Sequence, residues 1–268
     1  MEQLSDSIQS IISRSGGTWA AVLEDLDTGE HWKWKELKAF YAASIIKVPI
    51  MIAVFRELEK GSIMACERKK LRQEDQVGGC GVLQHLTPGT SLTIYDLVTL
   101  MMIQSDNMAA NMLIDLVGAE QIQQTMKEIG MNDSMFCHKL MTAPGERNGE
   151  NTITAGEMHT VLKNMVSGHI ISRRACREMI GIMKKQQLRH YLAGKLPVDD
   201  LADGRRMDWE MADKTGEVKG VRHNTGIIYV GKRTMLVTVL SKGAEASRSL
   251  KGMQEIGWEI YKYMDKQR

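Results

Sequence analysis

Segments with strand character stand at the two ends of this chain, and a long run of helical periodicity lies between them. A sheet made from such a chain takes strands from both termini, and the helical stretch has to leave the sheet and return to it. At the N-terminal end, Thr18 to Leu26 and His31 to Leu37 are rich in Trp, Val and Leu and flank the turn signal Asp27-Thr28-Gly29, which predicts a hairpin. Towards the other end, Trp209 to Thr215, Thr225 to Val230 and Thr234 to Ser241 predict three further short strands separated by glycine turns.

Helical spacing opens the chain over residues 2–14, through Leu4, Ile8, Ile11 and Ile12, and stops at Ser15-Gly16-Gly17. It returns over 44–60, 92–103, 107–117, 119–129, 155–166 and 173–186. The stretch Ala244 to Met264 closes the chain with Leu250, Met253, Ile256, Ile260 and Met264 on one face. The expected fold is α/β: an antiparallel sheet of about five strands built from both termini, flanked by helices, with an inserted all-helical lobe. Residues 1–43 plus 201–268 would form the sheet lobe and 44–200 the helical lobe, with a cleft between them in one structural unit.

Charge and composition narrow the possible functions. Lys+Arg 35 against Asp+Glu 33 leaves a net charge of +2, and no run of like charge exceeds Arg68-Lys69-Lys70, so a nucleic-acid partner is not expected. The longest apolar stretch, Ala42 to Phe55, is interrupted by Ser44, Lys47 and Pro49 and falls short of the roughly 20 apolar residues of a membrane span. Cys66, Cys80, Cys137 and Cys176 form no Cys-x-x-Cys pair and the histidines form no His-Glu-x-x-His, so neither a metal nor a disulfide framework is expected, and no cofactor is implied. Asp25, Asp27 and Gly29 read as a turn, because the other ligand positions of a calcium loop are missing. The 20 methionines read as core filler, and with no heptad seam the expected state is a monomer. Met1 to Asp6 carries neither a basic nor an apolar leader region, so the chain as numbered is expected in the cytoplasm, or outside it if a native leader was removed.

The chemistry concentrates at three short motifs. Ser44 and Lys47 stand three residues apart at the start of the most apolar helical stretch, which puts a hydroxyl and an amine on one face. A lysine desolvated among Ile46, Val48 and Ile50 has its charged form disfavoured and can serve as a neutral base for the serine. The start of the helix would also supply the Ser44 N–H to an oxyanion. Ser105-Asp106-Asn107 follows in a break between two helices, and Lys214-Thr215-Gly216 ends a predicted strand. Taken singly, these have plain structural readings: a helix cap, a strand end and a chance Ser-x-x-Lys. Each tripeptide has about a 3% chance of occurring in a chain this long, so three motifs in one order are hard to attribute to accident. Arg222 and His223 read on their own as residues of a surface turn.

With these motifs the sequence resembles the class A β-lactamases and related penicillin-recognising serine hydrolases over nearly its whole length. Gly78-Gly79-Cys80-Gly81-Val82-Leu83-Gln84-His85-Leu86 resembles their cleft-rim loop, and Gly220-Val221-Arg222 the segment after their Lys-Thr-Gly strand. The resemblance implies Ser44 as acylated nucleophile, Lys47 as its base, Ser105 as proton relay to the leaving nitrogen and Asn107 as a ligand of the substrate amide. It further implies that Lys214, Thr215 and Arg222 hold the substrate carboxylate, that Gly216 belongs to the substrate-binding set with them, and that the backbone N–H groups of Ser44 and Glu217 form the oxyanion hole. The implied substrate is a small β-lactam or a peptide-like mimic of one.

One family feature is missing. The Glu-x-x-Leu-Asn loop that directs water at the acyl-enzyme corresponds here to Phe136 to Gly145, where the glutamate position falls at Leu140 or Met141. The arginine and aspartate that brace that loop correspond to His138 and Asn151, and the loop is about two residues short. The expectation is therefore β-lactam opening with slow deacylation, with Glu146, Glu150 or Glu157 as the candidate substitutes. A peptidoglycan-type peptidase or esterase, or a penicillin-binding sensor that stays acylated, are the alternatives.

Overall fold

A computed structural model of the chain describes residues 1–141, 149–198 and 208–265. Its centre is a five-stranded antiparallel sheet of order β2-β1-β9-β8-β7. The strands are β1 (Thr18–Asp25), β2 (His31–Trp34), β7 (Trp209–Val218), β8 (Val221–Val230) and β9 (Arg233–Lys242). The first two and last three thus come from opposite ends of the chain, joined by the β1–β9 ladder from Thr18↔Lys242 to Asp25↔Met235.

Strand alternation divides the protein into two cores. Trp19, Ala21 and Leu23 of β1, with Val237 and Val239 of β9, face one layer, where α1 (Glu2–Ser15) and α8 (Ala246–Asp265) lay down Ile8, Ile11, Met253, Ile256 and Ile260. Ala20 and Val22, with Leu236 and Leu240, face the opposite layer. That layer holds α2 (Lys47–Lys60), α3 (Ile94–Ile103), α4 (Asn107–Val117), α5 (Ala119–Glu128), α6 (Ala155–Val166) and α7 (Arg173–Lys184). Every residue of α2 from Lys47 to Phe55 is buried, as an all-round apolar helix requires.

The helical stretch also contains two small ladders that the sequence did not announce. β3 (Ala39–Tyr41) pairs with β6 (Thr152–Thr154), and β4 (Arg68–Lys70) pairs with β5 (Ser91–Thr93). Three residues are too few for a period-two pattern to register. Several boundaries differ from expectation as well. Residues 43–46 form a 3-10 turn before α2, the strand expected to reach Leu37 ends at Trp34, and α7 stops at Lys184.

The correction that bears on function concerns the last three strands. Each is ten residues long, and β7 meets β8 through a two-residue turn, Lys219-Gly220, with Gly220 at φ 75°. Lys214 therefore lies inside a strand, and Arg222 and His223 are strand residues rather than turn residues. The polar residues between Glu217 and Asn224 concealed this, because their partners lie on neighbouring strands or farther away: Arg222 pairs with Glu217, Asn224 donates to Lys214 O, and His223 bonds to Tyr41 O and Ser241 N. Among the described residues, no helix is long and apolar enough to cross a membrane.

Candidate active site

Ser44 and Lys47 occupy the 3-10 turn and the first residue of α2. Side chains three apart nearly eclipse in a 3-10 turn, and Lys47 Nζ lies 3.0 Å from Ser44 Oγ. Ala43, just before the serine, has φ 46°, a strained conformation for a residue with a Cβ. Two struts hold this approach. Ala42 N–H donates to Asn151 O, and His223 Nε2 lies 2.8 Å from Tyr41 O. His223 is fully buried, and Ser241 N–H donates to its Nδ1, so the ring is the Nε2–H tautomer that donates to Tyr41. Burial pushes its pKa down to about 4.

Lys47 is fully buried, and its amine reaches Ser105 O at 2.6 Å, Asn107 Oδ1 at 2.8 Å and Ser105 Oγ at 3.1 Å besides Ser44. Burial, with the nearby Lys214 charge adding to it, holds the amine well below the usual lysine range against the opposing pull of Cys80 and Asp106. A neutral amine has two N–H bonds and one lone pair. The two carbonyl oxygens of Ser105 and Asn107 can only accept, so they take both N–H groups and leave the lone pair for a hydroxyl, that of Ser44 or of Ser105.

Ser105 has φ 54°, and Asp106 caps α4 by accepting from Ala109 N–H. The same carboxylate accepts from Val82 and Leu83 N–H, while Asn107 N–H donates to Cys80 O and its Nδ2 to Gly78 O. The 78–83 strap is thereby pinned across the Ser-Asp-Asn motif. Gly81 is obligatory there, since a Cβ would fall 2.3 Å from the Asp106 carboxylate.

From the sheet, Lys214 Nζ donates to Ser105 Oγ at 3.1 Å and to Thr215 O at 2.8 Å. Burial lowers this amine to about 8 even with Asp213 beside it, and burial raises Asp213 to about 6 against the pull of Arg189. Gly216 packs on the nucleophile turn so closely that a Cβ would sit 3.2 Å from Ser44 N. Ser44, Lys47, Ser105, Asn107, Lys214 and Gly216 are thus assembled around one point. Arg222 is placed differently from the expectation: it forms an ion pair with Glu217, its partner across the β7–β8 ladder, and donates to Ala246 O and Ser249 Oγ.

A family model described as the beta-lactamase enzyme family matches residues 3–264. The chain belongs to the beta-lactamase enzyme family. It is 24% identical over 232 residues to a protein named beta-lactamase from Rhodobacter capsulatus, covering 85% of this chain and 76% of that one. Its fold matches the crystal structure of a beta-lactamase from Sphaerobacter thermophilus with a TM-score of 0.88 at 28% identity, over 99% of this chain and 98% of the other. It also matches PBP-A, with a TM-score of 0.86 at 24% identity over 99% and 97% of the two chains. Family and fold together make this a serine hydrolase of the beta-lactamase type.

In this beta-lactamase family member the loop after α5 is tethered by amides. Asn111, one turn beyond Asn107 on α4, accepts from Leu140 N–H through Oδ1 and donates to Leu140 O through Nδ2. Asn151 accepts from the N–H of Cys137 and His138 and donates to His138 O. Of the candidate glutamates, Glu157 is occupied elsewhere, with one oxygen accepting from Asp133 N–H and the other bonded to the Ser134 hydroxyl. Glu150 is exposed, and Glu146 lies outside the described residues.

Sequence reasoning missed His223 as a strut, Asn111 as a clasp and Tyr191, whose hydroxyl donates to the Glu217 carboxylate. The Asn111 role had a signal, its i+4 placement from Asn107 on one helix face. The other two depend on pairings across long separations in the chain.

Proposed function

We propose that the protein opens β-lactams by forming an acyl-enzyme at Ser44 and releases the acyl group slowly. Lys47 takes the Ser44 proton as Oγ bonds to the carbonyl carbon, and the carbonyl electron pair moves onto oxygen under the N–H groups of Ser44 and Glu217. Collapse of this intermediate breaks the C–N bond, and the leaving nitrogen receives its proton from the Ser105 hydroxyl, which is refilled from Lys47. Lys214 and Thr215 face the substrate anion, and Asn107 its side-chain amide. The cleft lies between a sheet lobe and a helical lobe.

The observation that carries this reading is the hydrogen-bond accounting at Lys47: two acceptor-only oxygens take its N–H groups, and its lone pair faces the hydroxyls of Ser44 at 3.0 Å and Ser105 at 3.1 Å, the two groups that exchange protons in this mechanism. Slow release is supported at the loop, where Asn111 clasps the backbone of Leu140, an aliphatic residue. Hydrolysis of the ester needs an activated water, and Leu140 has no group to activate one.

A chromogenic cephalosporin mixed with a known concentration of protein tests both halves. The expected result is a burst of one equivalent with a persistent mass increase on Ser44, absent in Ser44→Ala. Rapid steady turnover with no visible adduct would overturn slow release, and an adduct surviving in Ser44→Ala would overturn the nucleophile. A burst without turnover favours a peptidoglycan-type peptidase or a penicillin-binding sensor as the natural role, since such proteins meet β-lactams as mimics.

A further inference from the structure

Behind the site, one buried amide joins the two motifs that meet at Ser105 and Lys214. Gln186 lies just past the end of α7 and is 4% exposed. Its Nε2 donates to Met102 O and to Asp213 O, each at 3.2 Å. Its Oε1 accepts from the N–H groups of Gln187 and Leu188, each at 3.0 Å. A primary amide has two N–H bonds and one oxygen with two lone pairs, so all four of its bonding positions are used. Only this orientation of the amide gives both carbonyls a donor.

The two carbonyls stand at the roots of the contact between the motifs. Met102 is on the last turn of α3, three residues before Ser105, where helix carbonyls lose their intrahelical partners. Gln186 takes Met102 O, and Gln187 N–H donates to the next carbonyl, Ile103 O, at 3.1 Å. Residues 186 and 187 thus finish the helix that leads into Ser105, whose φ of 54° persists only where its surroundings fix it. Asp213 directly precedes Lys214 on β7, an edge strand with β8 on one side only. Met211 O and Asp213 O, two residues apart and so directed to one side of the strand, accept from Arg189 and Gln186. The contact that these two ends support is Lys214 Nζ to Ser105 Oγ at 3.1 Å.

We propose that Gln186 is a positioning residue that holds Ser105 and Lys214 at hydrogen-bonding distance, so that the Ser105 hydroxyl can hand its proton to the leaving nitrogen. It acts through the backbone of Met102 and Asp213. The inference rests on acylation at Ser44 and concerns one step of it, departure of the amine. An acyl donor whose leaving group departs as a stable anion does not need that proton.

The test compares two donors on the full-length protein, with the Ser44 adduct followed by mass: a chromogenic cephalosporin, whose ring nitrogen needs a proton to leave, and p-nitrophenyl acetate, whose p-nitrophenolate leaves without one. Gln186→Met keeps the length of the side chain and removes both donors. It should slow acylation by the cephalosporin about 10–10²-fold, as for a reacting group moved out of place, and acylation by the ester less than about threefold. Gln186→Met should add little to Ser105→Ala, because both act on one proton transfer. Gln186→Asn, whose amide is too short to span both carbonyls, should give the same split at a smaller size and carries the test if Gln186→Met does not fold. Equal slowing of both donors, no slowing of either, or losses that multiply in the combination with Ser105→Ala would each overturn the inference while leaving Ser44 acylation intact. Failure of both donors to label Ser44 in the wild type would overturn the acyl-enzyme reading and this inference with it. The combination with Ser105→Ala needs the cephalosporin alone, so it decides even if the ester does not label Ser44.

Discussion

The turn that carries Ser44 and the described residues of the loop after α5, 136–141 and 149–151, are held in opposite ways. Around the nucleophile, the buried amines of Lys47 and Lys214 meet hydroxyl, amide and backbone carbonyl oxygens at 2.6–3.1 Å. At Cys137, His138 and Leu140 of the loop, the tethers are neutral: Asn111 and Asn151 grip backbone N–H and C=O groups without supplying a base. The difference teaches that, on the mechanism proposed above, acylation and deacylation would be separable, because the regions assigned to them share few groups.

The largest expected effect comes from removing the proton acceptor. Lys47→Ala should slow acylation of Ser44 by about 10²–10⁴-fold, the range for a positioned general base, in stopped-flow with a chromogenic cephalosporin. The rising limb of the wild-type pH–rate profile should disappear with it, since the depressed Lys47 pKa makes the amine increasingly neutral as pH rises. A limb that persists unchanged in the variant would assign the base to another group.

A smaller gain is expected on the other side. Leu140→Glu puts a carboxylate where Asn111 clasps the loop, and should shorten the acyl-enzyme lifetime by about 10²-fold while leaving the burst rate within a few-fold. Changes of equal size in burst and lifetime would show that the two regions are coupled after all.

The last effect is on stability, and it separates the titrating strut from a neutral clasp. His223 titrates at about 4 when folded against 6.5 as a free side chain, so the native state binds fewer protons than the unfolded one below pH 6.5. Its contribution is complete above that pH and is lost as pH falls towards about 4, amounting to about 3 kcal/mol. Urea unfolding between pH 7 and 4 should therefore lose less stability in His223→Gln than in the wild type. Parallel curves would remove His223 as the titrating strut. Asn151→Ala, which leaves backbone groups of Cys137 and His138 unpaired, should cost about 1–3 kcal/mol with little dependence on pH over this range.

Most of the architecture was legible because it is written in local periodicity. Residues 107–117 and 155–166 read as helices and are helices, and the strands at both ends read as strands. The site was legible where chemistry is packed into short motifs: the i, i+3 spacing of Ser44 and Lys47 needs only a tight turn to bring their polar atoms together. What stayed hidden was polar sequence that buries itself. Arg222 and His223 looked like a turn because their partners, Glu217, Ser249, Tyr41 and Ser241, lie on other strands and helices or far away in the chain.

The sequence by itself determined which side chains this protein brings to its chemistry, and that the loop after α5 has no glutamate at Leu140 or Met141. Only the tertiary structure decided how those side chains are charged and paired: that Lys47 is desolvated by complete burial, that His223 is neutral, and that Arg222 is already matched by Glu217. The physical reason is that residue type and spacing are local properties of a chain. Burial and cross-strand register are not, because they arise from residues as distant in sequence as Tyr41 on β3 and His223 on β8 meeting between two sheets.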